Sequence, residues 1–180
     1  MNAPARPDVP TRLYLAFYDG RACGTWFDRL VAAHDRGRAA GPFSHVELVF
    51  DLRPRGLSLC FSSSWRDGGV RFKPIDLAAG CGRHGARKWT LVPVPATAAR
   101  VALVRAWCER RVGGRYDVPG VLAFKLPLVR HRLNWWFCSE ICCAALQQSG
   151  LLRDALPHAL SPNALFRLAR RRFGAATFHV

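Results

Sequence analysis

Acidic residues are scarce in this chain. Its 180 residues include 27 Lys or Arg but only 12 Asp or Glu, which gives a formal net charge of +15 with the histidines neutral. So positive a balance favours anionic partners, whether nucleic acid, phospholipid or a wall polymer, through an attraction that salt screens. Charge alone does not choose among these three partners.

Long apolar runs are also missing. No stretch approaches the roughly 18–20 apolar residues that cross a bilayer, which excludes a membrane-spanning helix. Residues 1–12 contain three prolines and no apolar core of a secretory signal. We expect them to form a flexible arm and the protein to be cytoplasmic, with signal-independent export left open. Half of the chain is apolar and no linker divides it, so residues 13–180 are expected to form one domain.

Recognisable cofactor and metal motifs are absent. No Gly-rich phosphate loop precedes a helix, and the spacing Cys81-Gly-Arg-His84 has no second ligand pair to complete a zinc site. We therefore expect neither a cofactor nor a metal. The seven cysteines are odd in number and widely spread, so we expect reduced thiols rather than disulfides.

What the chain does contain is a series of short apolar strands. Apolar runs closed by Gly, Pro or Asp predict five strands, at 13–18, 43–50, 57–64, 70–75 and 89–94. Helical spacing and capping residues predict helices after Thr25, at 98–112, from about Asp117, at 138–148 and from Ser161. Together these elements predict an α+β fold with an antiparallel sheet of about five strands.

Cys138 and His45 are the most informative pair. Cys138 follows the aromatic run Trp135-Trp136-Phe137 and opens a helical pattern, where the helix dipole favours a thiolate. His45 lies on a predicted strand, and its imidazole could pair with that thiolate and pass a proton to a leaving group. These are the minimum components of a cysteine hydrolase. The alternative is a buried structural cysteine and a hydrogen-bonded structural histidine.

A third residue would orient the imidazole, and the predicted strand pairing offers two candidates. If the turn over residues 51–56 is centred after residue 53, His45 faces Ser62 on the next strand. Glu47 then faces Cys60 and lies on the same side of its strand as His45. The sequence leaves the choice between Ser62 and Glu47 open.

The order of these motifs resembles the circularly permuted papain-like hydrolases of the YiiX group, which belong with the NlpC-type cell-wall cysteine peptidases. The likeness runs from Leu13 to Leu168 and is carried by the segments SHVELVF, LCFSSS, RDGGVRFKPI, RYDVPGVLAF, WFCSEICCAAL and SPNAL. The histidine precedes the cysteine in this chain, which is the order that the permutation produces.

The resemblance implies roles for individual residues. Cys138 becomes the nucleophile and His45 the base, and Ser62 falls at the third polar position. The group often has a carboxylate there, and Glu47 is the residue that would compensate. Tyr116 matches the tyrosine of a Tyr-Asp pair common in the group. With Ser63 and Trp136 it makes up the candidate substrate-binding set.

The implied activity is thiol-dependent cleavage of an amide, peptide-like or in a cell wall, or of an ester or lipid bond. The reaction would proceed through an acyl-enzyme, with acyl transfer as a variant of the same chemistry. The alternative is a non-catalytic basic module of the same fold that binds nucleic acid or anionic lipid. Net charge is compatible with either reading.

Overall fold

A six-stranded antiparallel sheet forms the centre of the computed structural model. The structure describes residues 13–33, 41–53, 56–80, 87–117, 134–174 and 177–180. The strands are β1 (Leu13–Asp19), β2 (Phe43–Asp51), β3 (Ser58–Ser64), β4 (Gly69–Ile75), β5 (Trp89–Val94) and β8 (Phe178–His179). Their order across the sheet is β4-β3-β2-β1-β5-β8.

Four helices and a short ribbon complete the architecture of the described residues. The helices are α1 (Trp26–Ala33), α2 (Ala98–Glu109), α3 (Cys138–Gln147) and α4 (Pro162–Phe173), with a 3₁₀ turn at Pro157–Ala159. The ribbon pairs β6 (Arg115–Tyr116) in parallel with β7 (Trp135–Trp136). The predicted α+β class and antiparallel sheet are confirmed. The sixth main strand, β8, was not predicted, because two residues carry no readable period.

Strand β1 is buried on both faces and organises two separate cores. Leu13, Leu15 and Phe17 pack in the larger core, which includes residues of α2, α3 and α4. Tyr14 and Ala16 point to the opposite face and join a smaller apolar cluster there. This alternation follows from the two-residue period of a strand, and it explains why the run reads as continuously apolar.

Helix α3 packs directly on the backbones of β2 and β3. The Cys142 sulfur lies 3.8 Å from the carbonyl oxygen of Val46 and 3.9 Å from that of Phe61. A small side chain at position 142 allows this close approach. The packing fixes the first residue of α3 relative to β2.

The pairing of β2 with β3 differs from the predicted register by two residues. Leu48 faces Phe61 and Val49 faces Cys60, whereas the prediction paired Cys60 with Glu47. The pairing is irregular between Val49 and Asp51, so the turn is centred farther along the chain than predicted. Because the shift at Leu48 and Val49 is an even number, the side chains on their side of the irregularity keep their predicted faces.

The expectation of reduced thiols holds for only part of the cysteines. Cys23 is disulfide-bonded, which corrects that prediction. The fold, rather than the sequence spacing, decides which sulfurs approach each other. The remaining described cysteines are free and buried: Cys60, Cys108, Cys138, Cys142 and Cys143.

Several predictions fall on parts of the chain that the structure leaves undescribed. The predicted arm at residues 1–12, most of the helical region predicted from Asp117, and the Cys81 and His84 pair lie outside the described residues. In the described ranges, no helix combines the length and apolar content needed to cross a bilayer.

Asn163 ties α4 to the beginning of β2. Its Oδ1 accepts from the Phe43 N–H at 3.0 Å, and its Nδ2 donates to the Phe43 carbonyl at 3.0 Å. Both residues are buried, so these backbone groups depend on the amide for their hydrogen bonds. The contact sets the position of β2 just ahead of His45.

Replacing Asn163 with Leu should destabilise the protein by about 2–4 kcal/mol, because two buried backbone groups of Phe43 lose their partners. The measurement is the free energy of unfolding from urea titration. Gln148→Ala, at an exposed position in the C-cap of α3, should change it by less than about 0.5 kcal/mol. Equal effects of the two substitutions would contradict the role given to the amide.

Candidate active site

His45 lies near the start of β2 and is held by Glu47 of the same strand. The imidazole Nε2 is 2.7 Å from Oε1 of Glu47. Because side chains two apart on a strand project from the same face, one strand supplies both the ring and the carboxylate that orients it. The His45 side chain is 20 % exposed and that of Glu47 only 1 %, so the pair is largely shielded from water.

Cys138 is the first residue of α3 and is fully buried. The preceding residue, Phe137, is extended, and its N–H donates to Oε2 of Glu140 at 3.3 Å. This contact caps the helix, so the sulfur lies in its first turn at the positive end of the helix dipole. The charge and the hydrogen bonding of Cys138 both raise the pKa of His45, so the thiol lies next to the imidazole. Since Nε2 of the ring is taken by Glu47, Nδ1 is the nitrogen left for the sulfur.

The surroundings of His45 favour its protonated form. Burial by itself lowers the pKa of the imidazole, but the charges and hydrogen bonds of Cys138 and Glu47 raise that pKa to about 10. Burial would raise the pKa of Glu47, yet His45 and Arg71 together hold it below its usual range. At neutral pH the site therefore contains an imidazolium and an ionised carboxylate.

Arg71 of β4 is the site residue that sequence reasoning missed. Its Nη1 and Nη2 donate to Oε2 and Oε1 of Glu47 at 2.9 and 2.6 Å. Its Nε donates to Oδ2 of Asp67 at 2.8 Å. This two-point contact compensates a carboxylate that has almost no access to water. The available sequence signal was alternation with Val70 and Phe72, which is equally typical of a solvated strand face.

Ser62, the first of the two candidates for the orienting residue, makes no hydrogen bond to the imidazole among the described residues. Its hydroxyl donates to the carbonyl oxygen of Val46 at 2.7 Å and is fully buried. Glu47, the second candidate, occupies the ring nitrogen instead. The hydroxyl is short and satisfies a backbone acceptor of the neighbouring strand, so it is not available to the ring.

The three candidate substrate-binding residues lie in different parts of the structure. Tyr116 lines the cleft above the site, whereas Ser63 and Trp136 do not. Ser63 is fully buried in β3, and its hydroxyl lacks a hydrogen-bond partner in the described part of the chain. The Trp136 ring packs edge-on against Trp107 of α2 with centroids 5.8 Å apart. These two side chains therefore lie outside the lining of this cleft.

A cleft of about 470 Å³ opens over His45. Tyr116 stands beside the buried sulfur: its ring lies 6.0 Å from that of Phe137, next to Cys138 in the chain. Cys138 is not among the residues that line the cleft, whereas His45 and Tyr116, whose pKa values its charge raises, are. The apolar walls of the cleft come from α1 and from the turn between β3 and β4, and include Phe27, Val31 and Trp65.

Metal chemistry has no ready set of ligands in the described residues. No group of three His, Cys, Asp or Glu side chains in those ranges is arranged to hold a metal ion. His45 and Glu47 contact each other and Arg71, an arrangement that suits proton transfer and charge pairing.

No protein-family model matches the chain, and a search of curated proteins found no match. The assignment of function therefore rests on the motifs and the geometry described above.

The raised pKa of His45 predicts a specific pH dependence of stability. Between its ordinary pKa of 6.5 and about 10, folded His45 holds a proton that the unfolded chain has released. Its contribution to stability should be complete below pH 6.5 and should be lost as the pH rises through about 10. The measurement is the difference in unfolding free energy between wild type and His45→Asn across this range.

Ser62→Ala is the matched control, because it removes a buried hydroxyl of the same sheet without touching the ring. Its stability curve should run parallel to that of the wild type. A difference between wild type and His45→Asn that stays constant from pH 6 to 10 would show that the imidazole gains no proton affinity on folding.

Proposed function

We propose that the protein is a cysteine hydrolase that cleaves an amide or ester through an acyl-enzyme. One observation carries the proposal: a buried Cys138 at a helix N-terminus lies next to His45 and raises the pKa of its imidazole, while Nε2 of the same ring is held by Glu47. These three residues supply a nucleophile, a base and a group that orients the base, which are the parts that covalent thiol catalysis needs. A cleft lined by His45 and Glu47 supplies room for a substrate.

We further propose that the fold is the permuted papain-like fold of the YiiX group. The support is the chain order, with His45 on a strand well before Cys138, and the packing of α3 on β2 and β3 of an antiparallel sheet. The Glu47 contact matches the carboxylate that the resemblance implies for the third position, although it comes from the strand of the histidine.

In the acylation step the Cys138 thiolate attacks the carbonyl carbon of the substrate, and a carbon–sulfur bond forms. Cys138 lies in the first turn of α3, whose N–H groups and dipole would stabilise the charge of the developing oxyanion. The bond from the carbonyl carbon to nitrogen or oxygen then breaks. The leaving group takes the proton of the His45 imidazolium, and the thioester remains on the enzyme.

In the deacylation step water attacks the thioester carbon, and His45 accepts the proton from that water. The carbon–sulfur bond breaks, the acid product leaves, and the thiolate and imidazolium pair is restored. A hydroxyl or amine acceptor in place of water would give acyl transfer by the same steps. Glu47 does not touch the reacting atoms, and its role is to position the ring.

The other free cysteines are poorly suited to this chemistry. At all four of the other free cysteines the thiol pKa is raised and burial is the largest cause, so their sulfurs stay neutral at pH 7. The pKa of Cys143 rises to about 12. The remaining three, also raised, are Cys60, Cys108 and Cys142. Selective reaction at Cys138 therefore has a clear chemical basis.

Iodoacetamide at pH 7 should alkylate Cys138 well before the other free cysteines, as measured by mass spectrometry of proteolytic fragments. His45→Asn should slow that alkylation by about 10²-fold or more, because the imidazolium partner is lost. Cys138→Ala should abolish turnover in panels of peptide, ester and lipid amide substrates while leaving the circular dichroism spectrum intact.

Cys143→Ala is the matched control on the same helix and should retain both labelling and turnover. Labelling spread evenly over the free thiols, with no hydrolysis in any panel, would overturn the proposal. The basic protein would then be better described as a binding module, and salt-dependent retention of DNA or anionic vesicles would test that reading.

Arg71 acts in this proposal as a second positioning residue. Glu47 orients His45 only while it is ionised, and its side chain is 1 % exposed. Without the guanidinium the buried carboxylate would lose its main compensating charge and take up a proton more readily. Oδ2 of Asp67 accepts from Nε of Arg71, and Nζ of Lys73 donates to Oδ1 of Asp67 at 2.6 Å.

Arg71→Met should lower stability by roughly 3–5 kcal/mol, the usual result of breaking a buried ion pair. It should also shift the acidic limb of Cys138 alkylation to higher pH, since Arg71 lowers the pKa of Glu47. In a Glu47→Gln background the same substitution should have a much smaller effect on both readouts, because no buried charge is left uncompensated.

Arg71→Lys should restore part of the wild-type pH profile. Lys73→Met is the control on the same strand: it removes the contact with Asp67 but touches neither Glu47 nor His45. Additive effects of the Arg71 and Glu47 substitutions would show that Arg71 acts independently of the carboxylate.

A further inference from the structure

The cleft is close to electrically balanced although the chain is strongly basic. Its lining contains four Lys or Arg and four Asp or Glu, with the His45 imidazolium in addition, in a protein of net charge +15. The charged lining residues besides His45 are Arg66, Arg71, Lys73, Lys88, Asp28, Glu47, Asp67 and Asp76. The net charge of the chain is therefore a poor guide to the charge of the molecule that enters the cleft.

Most of these charges are already used within the protein. Arg66 pairs with Asp28 of α1, and its Nη2 also donates to the Thr25 hydroxyl at 3.3 Å. Asp76 accepts from the backbone N–H groups of residues 78 and 79 at 3.0 and 3.1 Å. The ion pairs of Arg71 and Lys73 are described above. Lys88, at the start of β5, is the exception, since it has no ion-pair partner among the described residues.

The apolar side chains of the cleft lining, unlike most of its charged ones, include one that is largely exposed. Trp65, in the turn between β3 and β4, is 62 % exposed although it is one of the largest apolar side chains. Its ring stands 6.4 Å from that of Tyr116, in an edge-to-face arrangement. Phe27 and Val31 of α1 also line the cleft. An exposed aromatic ring in a concave apolar setting is typical of a ligand-binding surface.

The aromatic surface leads to the sulfur. From Trp65 the rings continue through Tyr116 to Phe137, at centroid separations of 6.4 and 6.0 Å, and Phe137 immediately precedes Cys138. The Cys138 charge also acts on Tyr116, helping burial to raise the pKa of its phenol. Phe137 is buried, so Trp65 and Tyr116 are the rings of this series that line the cleft, and an acyl group bound there would contact those two.

We propose that Trp65 and Tyr116 form a subsite for an apolar or aromatic group next to the scissile carbonyl, so that the cleft selects neutral apolar substrates rather than anionic ones. The inference rests on the proposed function, since it takes Cys138 as the nucleophile. It identifies Trp65 as a specificity-determining residue.

Three electrophiles that differ in one substituent test the subsite: chloroacetamide, N-benzylchloroacetamide and chloroacetylglycine. In each, the Cys138 thiolate displaces chloride, so a carbon–sulfur bond forms and a carbon–chlorine bond breaks. The wild type should react about tenfold or more faster with the benzyl compound than with chloroacetamide, and should not favour the carboxylate. Trp65→Ala should reduce the benzyl preference to less than about threefold, while Trp65→Phe should keep most of it.

Trp26→Ala is the matched control. Trp26 is 76 % exposed and is not part of the cleft lining, so its loss should leave the preference unchanged. Far-ultraviolet circular dichroism and melting curves confirm that each variant is folded.

The possible outcomes distinguish a failure of the subsite proposal from a failure of the hydrolase proposal. Selective labelling of Cys138 at equal rates by all three compounds would overturn the subsite and leave the hydrolase proposal standing, as would a benzyl preference that survives in Trp65→Ala. Fastest reaction with chloroacetylglycine would overturn it in favour of an anionic ligand bound near Lys88. Absence of selective Cys138 labelling by any compound would overturn both proposals.

Discussion

The buried carboxylate of Glu47 is the interaction on which the site depends. An ionised group with a side chain 1 % exposed persists only when hydrogen-bonded charges compensate it, and here His45 and Arg71 do so from different strands. The same contacts fix the imidazole ring and bring β2 and β4 into a defined relation. Orientation of the ring and local stability thus have one cause, and changes at Glu47 affect both together.

The net charge of the whole chain differs from the charge of the cleft. Over the whole chain the excess of arginine is large, while the cleft contains Lys or Arg and Asp or Glu in equal number besides His45, most of them paired. The long-range field would attract anionic surfaces or polymers, and the local surface around Trp65 favours contact with an apolar group.

The sequence predicted what depends on short-range patterns. The strands from Leu13 to Val94 follow apolar periodicity, and the position of Cys138 at a helix start follows from its flanking residues. Contacts that depend on how strands pair in three dimensions could not be predicted from these short-range patterns. The β2–β3 register moved by two residues because of an irregularity near Asp51, and Ser62 lost its predicted contact. Arg71 reaches Glu47 from 24 positions away, and one-dimensional alternation does not encode that distance.

The proposed nucleophile and its base belong to different elements, α3 and β2, and α3 meets the backbones of β2 and β3 through the small side chain of Cys142. Local opening that lifts the start of this helix from the sheet would separate sulfur from imidazole while most of the core stayed intact. Thermal inactivation would then precede global melting. Slow amide hydrogen exchange in β1 could persist in a protein that has already lost its reactive thiol pair.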